Sequence, residues 1–290
     1  MRGLWAAMAT PLDAEGHVDH DLLVKHGLWL LEQGCDGLVP FGTTGEGPSF
    51  TASERLAAAE ALLRAGVPAT RIGLGTGCPA IPDTVSLTRE AMALGLTQAL
   101  ILPPYFFRDA SDAGIEDAFA AVVDGVGSDR LRATLYHIPQ VSGVAVAPAV
   151  FGRLRKRYGA VVAGVKDSTG DFAQFREFRL AAPDADTLVG AEGDIARALA
   201  EGGAGTICAM VNIAPRLVRA MFDGPAAEPA MRAAIALMTA PFQATLKSAL
   251  AAQTGEAAWR AVRAPLREVD PGVGTRLAAR LAALGTAKAA

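Results

Sequence analysis

The chain has 290 residues, of which 51% are hydrophobic and 20% charged, so it can bury one large α/β core or two smaller ones. A net charge of −3 without a basic patch argues against nucleic acid as a partner, and no apolar stretch reaches the roughly 18 residues of a membrane helix. Three widely spaced cysteines without a Cys-x-x-Cys pair argue against disulfide and zinc frameworks and predict a cytoplasmic protein.

Short apolar runs alternate with amphipathic segments along most of the chain. The runs typical of strands cover residues 4–9, 37–41, 71–75, 98–102, 132–136, 161–166, 187–190 and 205–209. The segments with helical periodicity cover residues 19–32, 51–65, 81–94, 112–125, 147–157, 171–181, 194–201 and 215–222. Thr51 and Glu54 form a capping box at the start of the second helix. Eight strand–helix units in succession predict a (β/α)8 TIM barrel, which is an α/β fold.

A Rossmann-like sheet is the alternative, because Gly73 and Gly75 in the third predicted strand begin a glycine-rich sequence. Cys78 occupies the place of the third glycine in the dinucleotide-binding fingerprint. Pro79 and Pro82 also interrupt the passage from turn to helix. The glycine pattern therefore carries little weight.

The strand pattern stops near residue 225. Residues 228–247, 250–262 and 274–284 instead predict three further helices, rich in Ala and Arg. Since no linker separates them from the rest, we expect a catalytic barrel at residues 1–225. Residues 226–290 are expected to form a helical extension packed on it.

Lys166 is the most informative residue, because function in such a barrel collects where the strands end. It closes the apolar run at residues 161–165, whereas the other four lysines lie in polar or terminal surroundings, at Lys25, Lys156, Lys247 and Lys288. Burial favours the neutral form of an amine, and a neutral amine can attack a carbonyl to form a Schiff base. A lysine that reaches solvent from the strand end is the alternative interpretation.

Two other predicted strand ends carry polar groups. Tyr136 ends the fifth strand, where its phenol could move a proton or make one buried hydrogen bond. The neighbouring His137 should point away from the barrel axis, which favours a structural role. After the second strand, Thr43 and Thr44 lie between glycines, a pattern that suits a carboxylate or phosphate site but also a plain turn.

The chain as a whole resembles the dihydrodipicolinate synthase / N-acetylneuraminate lyase family of class I Schiff-base aldolases. The resemblance is carried by motifs at residues 9–12, 34–46, 53–55, 102–105, 136–139, 164–168 and 212–215. It implies a TIM barrel with C-terminal helices, no cofactor or metal, and a homo-oligomer, either a dimer or a tetramer built from dimers. It also implies roles for matching residues: Lys166 as the Schiff-base lysine, Tyr136 for proton transfer, Thr43 and Thr44 for the substrate carboxylate, and Gly190 and Ile207 for the pyruvate site.

The chain departs from the family pattern at positions that bear on the substrate. Val141 replaces the arginine with which the synthases hold a second carboxylate, and Phe106 replaces a tyrosine lent by the neighbouring subunit. The sialic acid lyases differ too, because Gly193 and Ala209 stand where they carry an acidic residue and a hydroxyl.

We therefore expect a pyruvate-dependent aldolase that acts on a small 2-oxo acid, most simply a 2-keto-3-deoxy sugar acid cleaved to pyruvate and an aldehyde. Ser168 and Glu192 are the candidates to bind the sugar hydroxyls. Three alternatives stay open: a 4-hydroxy-tetrahydrodipicolinate (dihydrodipicolinate) synthase of lysine biosynthesis, a Schiff-base dehydratase of sugar acids, and a silent barrel that only binds a 2-oxo acid.

Overall fold

The computed structural model describes residues 1–286, and its centre is a sheet of eight parallel strands. The strands are β1 (Gly3–Ala7), β2 (Gly37–Val39), β3 (Gly73–Gly75), β4 (Gln98–Ile101), β5 (Arg132–His137), β6 (Val162–Asp167), β7 (Asp186–Val189) and β8 (Gly205–Cys208). They pair in the order β2-β1-β8-β7-β6-β5-β4-β3. A parallel bridge between Leu38 and Ile72 joins the two edges. The predicted TIM barrel is confirmed.

Helices surround the strands. They are α1 (His20–Glu32), α2 (Ala52–Arg64), α3 (Ile81–Ala93), α4 (Asp112–Val126), α5 (Pro139–Ser142), α6 (Pro148–Tyr158), α7 (Phe172–Ala181), α8 (Ile195–Ala200), α9 (Pro215–Ala220), α10 (Glu228–Ala236), α11 (Phe242–Thr254) and α12 (Pro271–Thr286). The predicted capping box at Thr51 and Glu54 is present at the start of α2. Within residues 1–286, no helix combines the length and the hydrophobicity that a membrane crossing requires.

The strand side chains alternate between the outside and the inside of the barrel, as the period of two in a β-strand requires. Leu135 and Val165 point outward into a cluster that includes side chains of the surrounding helices. Tyr136, Leu188 and Ile207 belong to another cluster, whose members come from the strands and the residues beside them. This second cluster fills the inside of the barrel.

Several predicted strand boundaries were wrong by a few residues. The second strand ends at Val39 rather than at residue 41, because Phe41 has the left-handed φ of 58°. Residues 71 and 72 precede β3, since Ala69–Arg71 forms a short 3₁₀ turn. Conversely, β5 and β6 each extend one residue beyond the prediction, to His137 and Asp167.

The C-terminal helices differ more from the prediction. The predicted helix at residues 228–247 is divided into α10 and α11, and Pro241 lies directly before α11 because it has no N–H to continue a helix. The predicted helix at 250–262 is absent as such. Residues 250–254 belong to α11, and Gly255, with a φ of 76°, follows the helix. The predicted segment 274–284 lies within α12, whereas residues 287–290, including Lys288, lie outside the described residues.

Helix α11 is enclosed by its neighbours. Every residue from 244 to 250 is buried, and α12 packs along it. The buried set includes the polar side chains of Thr245, Lys247 and Ser248. Lys247, which we expected in polar or terminal surroundings, is instead fully buried.

Candidate active site

Lys166 and Tyr136 lie side by side at the ends of β6 and β5. The two residues are partners in the parallel register, so their side chains share the inner face of the barrel. Both are buried, at 4% and 3% exposure. The Lys166 Nζ lies 4.2 Å from the centre of the Tyr136 ring. The structure thus places an amine against a phenol inside the barrel, at the edge where the strands end.

Thr43 joins this pair from the loop after β2, residues 42–46, which we call the β2 loop. Its Oγ1 donates a hydrogen bond of 3.3 Å to the Tyr136 hydroxyl oxygen. Since that oxygen accepts from Thr43, the phenol proton can point elsewhere. Thr44 follows and is buried at 5% exposure. Three of the predicted site residues, Thr43, Tyr136 and Lys166, are therefore in one contiguous group.

Gly45 of the β2 loop has a structural reason to be there. A Cβ on Gly45 would lie 2.7 Å from the carbonyl oxygen of Met8, so the loop backbone lies directly on β1 and its end. The Thr10 hydroxyl holds it there by donating to the carbonyl oxygen of Gly45 at 2.8 Å. Gly42, in contrast, has no atom closer than 3.9 Å to such a Cβ. The loop is fixed on one side and open on the other.

The opposite wall of the group is formed by the end of β7. A Cβ on Gly190 would lie 2.0 Å from Ser168 Oγ and 3.1 Å from Lys166 Cε, so only glycine leaves these side chains their room. The Gly190 N–H donates to the carbonyl oxygen of Asp167 at 2.6 Å. Ile207 is fully buried in the same inner cluster as Tyr136. Gly190 and Ser168 therefore lie beside the predicted lysine, whereas Ile207 lies in the inner cluster with Tyr136.

Glu192 has a role that the sequence did not reveal. Its Oε1 accepts hydrogen bonds from the backbone N–H groups of Ala209 and Met210, each at 2.9 Å. These bonds satisfy donors that begin the turn after β8. The carboxylate therefore ties the β7 loop to the β8 loop, and Oε1 is already used by the protein.

His137 points away from the amine. Its Nδ1 accepts from the Val146 N–H at 2.9 Å, and its ring packs edge-on against Phe178. Burial lowers the pKa of His137 to about 4, so the ring is neutral near pH 7. These contacts agree with the structural role expected from strand alternation.

Two side chains of α11 reach the β2 loop from outside the barrel. Lys247 Nζ lies 2.9 Å from Glu46 Oε1, and both side chains have no exposed surface. Gln243 Nε2 donates to the carbonyl oxygen of Thr43 at 3.2 Å. Burial lowers the pKa of Lys247, and the Glu46 carboxylate opposes that shift. Sequence reasoning missed both residues. Their spacing of four puts them on one helix face, but it does not indicate which distant loop that face contacts.

The mouth of the barrel carries the residues in which the chain departs from the family pattern. Val141 is 59% exposed on α5, and Phe106 is 81% exposed with a φ of 108°. Arg108 lies beside the α5 loop, because a Cβ on Gly143 would be 2.8 Å from its Nε. A guanidinium is therefore present near the loop that lacks the expected arginine.

Comparisons of this chain with known proteins point to one protein family. Residues 1–283 match the Dihydrodipicolinate synthetase family. An uncharacterised DapA-like lyase of Chloroflexus aurantiacus is 37% identical over 77% of this chain and 74% of its own length. The crystal structure of dihydrodipicolinate synthase from Agrobacterium tumefaciens is similar with a TM-score of 0.91, at 34% identity over 98% of this chain and 99% of that one. A prophage protein of E. coli, solved in complex with pyruvate, has a TM-score of 0.87 and 25% identity over 99% of both chains.

Proposed function

This chain belongs to the Dihydrodipicolinate synthetase family and is a lyase of the Schiff-base aldolase type; from that premise we propose that Lys166 forms an imine with pyruvate or another 2-oxo acid. The observation that carries the proposal is the contact between the Lys166 amine and the Tyr136 ring, with Thr43 bonded to the same phenol. An amine, a proton carrier and a hydroxyl are thus within one buried group. The pyruvate bound by the E. coli relative supports the same ligand class.

The proposed reaction begins with attack of the Lys166 nitrogen on the ketone carbon of the substrate. Water leaves, and the resulting cationic imine accepts the electron pair of the breaking C3–C4 bond. Tyr136 relays a proton: its oxygen takes the proton from the C4 hydroxyl as the aldehyde departs, and its own phenol proton passes to C3 of the resulting enamine. Water then hydrolyses the imine, which releases pyruvate and frees the Lys166 amine. The synthetic direction reverses these steps. The hydroxyls of Thr43 and Thr44 hold the C1 carboxylate, which fixes the substrate against the amine. No residue in this scheme requires a metal or an organic cofactor.

For the substrate, we propose a 2-keto-3-deoxy sugar acid that is cleaved to pyruvate and an aldehyde. Val141 offers no charge for a distal carboxylate, and Phe106 offers no hydroxyl. Ser168 is the better candidate to bind a sugar hydroxyl, because its Oγ lies close to Gly190 and Lys166, whereas Glu192 Oε1 is occupied by two backbone donors.

The second candidate is a dihydrodipicolinate synthase, which is the name of the Agrobacterium relative. In this case the chain would condense pyruvate with aspartate semialdehyde. Arg108 is the observation that favours it, because its side chain lies against Gly143 in the loop where the synthases carry their arginine. An arginine can hold a carboxylate with two charge-assisted hydrogen bonds. We further propose a cytoplasmic homo-oligomer, either a dimer or a tetramer built from two dimers, in which the exposed rings of Phe106 and Phe107 are covered by a second copy.

The proposal is tested by adding borohydride to the protein with pyruvate and mapping the reduced adduct. We expect the adduct on Lys166, none in the Lys166→Ala variant, and full labelling in Lys25→Ala, whose side chain is 70% exposed. An adduct on another lysine, or no adduct at all, would contradict the assignment.

The substrate is tested by comparing kcat/KM for cleavage of several 2-keto-3-deoxy sugar acids with kcat/KM for condensation of pyruvate and aspartate semialdehyde. We expect cleavage to be faster, with pyruvate among the products. Condensation at roughly 10⁴ M⁻¹s⁻¹ or more, with every sugar acid inert, would favour the synthase. In that case Arg108→Ala should abolish condensation.

A further inference from the structure

We propose that Gln243 and Lys247 of α11 are positioning residues that hold the β2 loop in the shape that receives the substrate carboxylate. The inference rests on the proposed function, because it assigns these residues to the carboxylate end of the same site. Neither residue touches Lys166 or Tyr136 in the contacts described above. Their effect would pass through the backbone and side chains of residues 43–46.

The first observation is the conformation of the loop. Glu46 has a φ of 56°, in the left-handed region that non-glycine residues seldom adopt. Phe41, on the other side of the loop, also has a left-handed φ of 58°. A backbone of this kind persists only when the surrounding structure fixes it. The β2 loop therefore needs partners that hold both of its ends.

The second observation is that the C-terminal segment supplies these partners. Lys247 Nζ contacts Glu46 Oε1, and the Arg263 backbone N–H donates to Glu46 Oε2 at 3.1 Å. Both oxygens of the strained residue are thus held from α11 and from the segment that follows it. Gln243 holds the other end of the loop through the carbonyl oxygen of Thr43, the residue that bonds Tyr136.

Burial makes the Glu46–Lys247 pair sensitive to loss of one partner. Both side chains are fully covered, so removal of the ammonium would leave a carboxylate that has lost its counter-ion inside the protein. The loop could relieve this only by turning Glu46 toward water. That movement would carry Thr43 and Thr44 with it, because only Gly45 separates them from Glu46. Small displacements of groups that position a substrate can change the reaction rate by a large factor.

A purely structural role is the competing explanation. In that case the pair would fasten α11 to the barrel and contribute only to stability. The two explanations predict different results for the substrate concentration that half-saturates imine formation. A positioning role predicts that this concentration rises when the residues are removed, whereas a purely structural role predicts no change in protein that remains folded.

The experiment measures the rate of borohydride trapping as a function of pyruvate concentration, in wild type, Gln243→Ala and Lys247→Met. The matched control is Lys25→Met, which removes an ion pair to Glu256 that also links distant parts of the chain but is 70% and 45% exposed. We expect the half-saturating pyruvate concentration to rise about tenfold or more in Lys247→Met and severalfold in Gln243→Ala, with no change in Lys25→Met. In the Glu46→Gln/Lys247→Met double variant, the half-saturating pyruvate concentration should rise no further than in the more affected of the two single variants, Glu46→Gln and Lys247→Met. The reason is that the two residues act as one pair.

Gln243→Ala keeps the proposal testable if Lys247→Met does not fold, since it removes one neutral hydrogen bond and no buried charge. A Gln243→Ala protein with wild-type melting temperature and unchanged half-saturation would overturn the positioning role. Failure of the proposed function is distinguishable, because then the wild-type protein itself would not be trapped with pyruvate.

Discussion

Tyr136 links the two halves of the candidate site, since its ring lies against the Lys166 amine and its hydroxyl accepts from Thr43. The Tyr136→Phe variant keeps the ring but loses the hydroxyl, which is both the proton carrier and the acceptor of the Thr43 hydrogen bond. We expect it to form the imine but to perform the chemical step slower by roughly 10²–10⁴, the usual contribution of general acid–base catalysis. Single-turnover cleavage and borohydride trapping, measured in parallel, separate the two steps. Tyr158→Phe on the outer helix α6 is the control. Equal cleavage rates for both variants would show that another group moves the proton.

At the level of single residues, the sequence could identify the groups whose position follows from strand alternation. Lys166 and Tyr136 end apolar runs, and parallel strands bring such ends to one edge of the barrel. Glu192 and Lys247 could not be assigned in this way. The partners of Glu192 are backbone amides of the next strand's loop, and the partner of Lys247 lies 201 residues away. Contacts of this kind arise from tertiary structure and leave no local pattern.

Among the elements beside Lys166, the end of β7 leaves little room for change. We expect Gly190→Ala to abolish imine trapping or reduce it at least tenfold, because the new methyl group would displace Ser168 and the Lys166 stem. Gly193→Ala, three residues later, is the matched control, since its Cβ would meet nothing closer than 3.7 Å. Trapping and melting temperature are compared for the two variants. Normal trapping in Gly190→Ala would show that the lysine does not occupy this position during the reaction.

The strands were predictable because strands covered on both faces are nearly continuous apolar runs. Their ends were not, since a strand stops where the backbone turns, as at Phe41, and apolar side chains continue past that point. The C-terminal helices were harder still. Ala-rich sequence continues helical periodicity through residues 228–262, whereas Pro241 and Gly255 interrupt the backbone.

The molecule as a whole should become less stable in mild acid, because two histidines are buried in the neutral state. The pKa of both His26 and His137 is lowered to about 4 by burial, compared with 6.5 for a free side chain. Between these values the unfolded chain binds protons that the folded one does not, so stability is present above pH 6.5 and decreases toward pH 4. The loss is on the order of 3 kcal/mol for each histidine.

The measurement is the free energy of unfolding by urea at several pH values from 7 to 4.5. The slope of this free energy against pH gives the number of protons taken up on unfolding. We expect that number to approach two in the wild type within this pH range and to be about one in His26→Gln. His17→Gln, whose side chain is 74% exposed, should keep the wild-type slope. A wild-type stability that does not change between pH 6.5 and 4.5 would contradict the neutral burial of these rings.

The contact between Glu46 and Lys247 also has a consequence for biosynthesis. A ribosome adds about 5–20 residues per second, so the lysine follows the glutamate by roughly 10–40 s. During that time the nascent chain already contains the β2 loop, but the counter-ion that holds Glu46 has not been translated. Because α11 positions the β2 loop in our proposal, we expect a nascent barrel to be unable to hold its substrate, whatever the order in which its strands pair. Catalysis is then expected only after the helical extension has left the exit tunnel and folded onto the barrel.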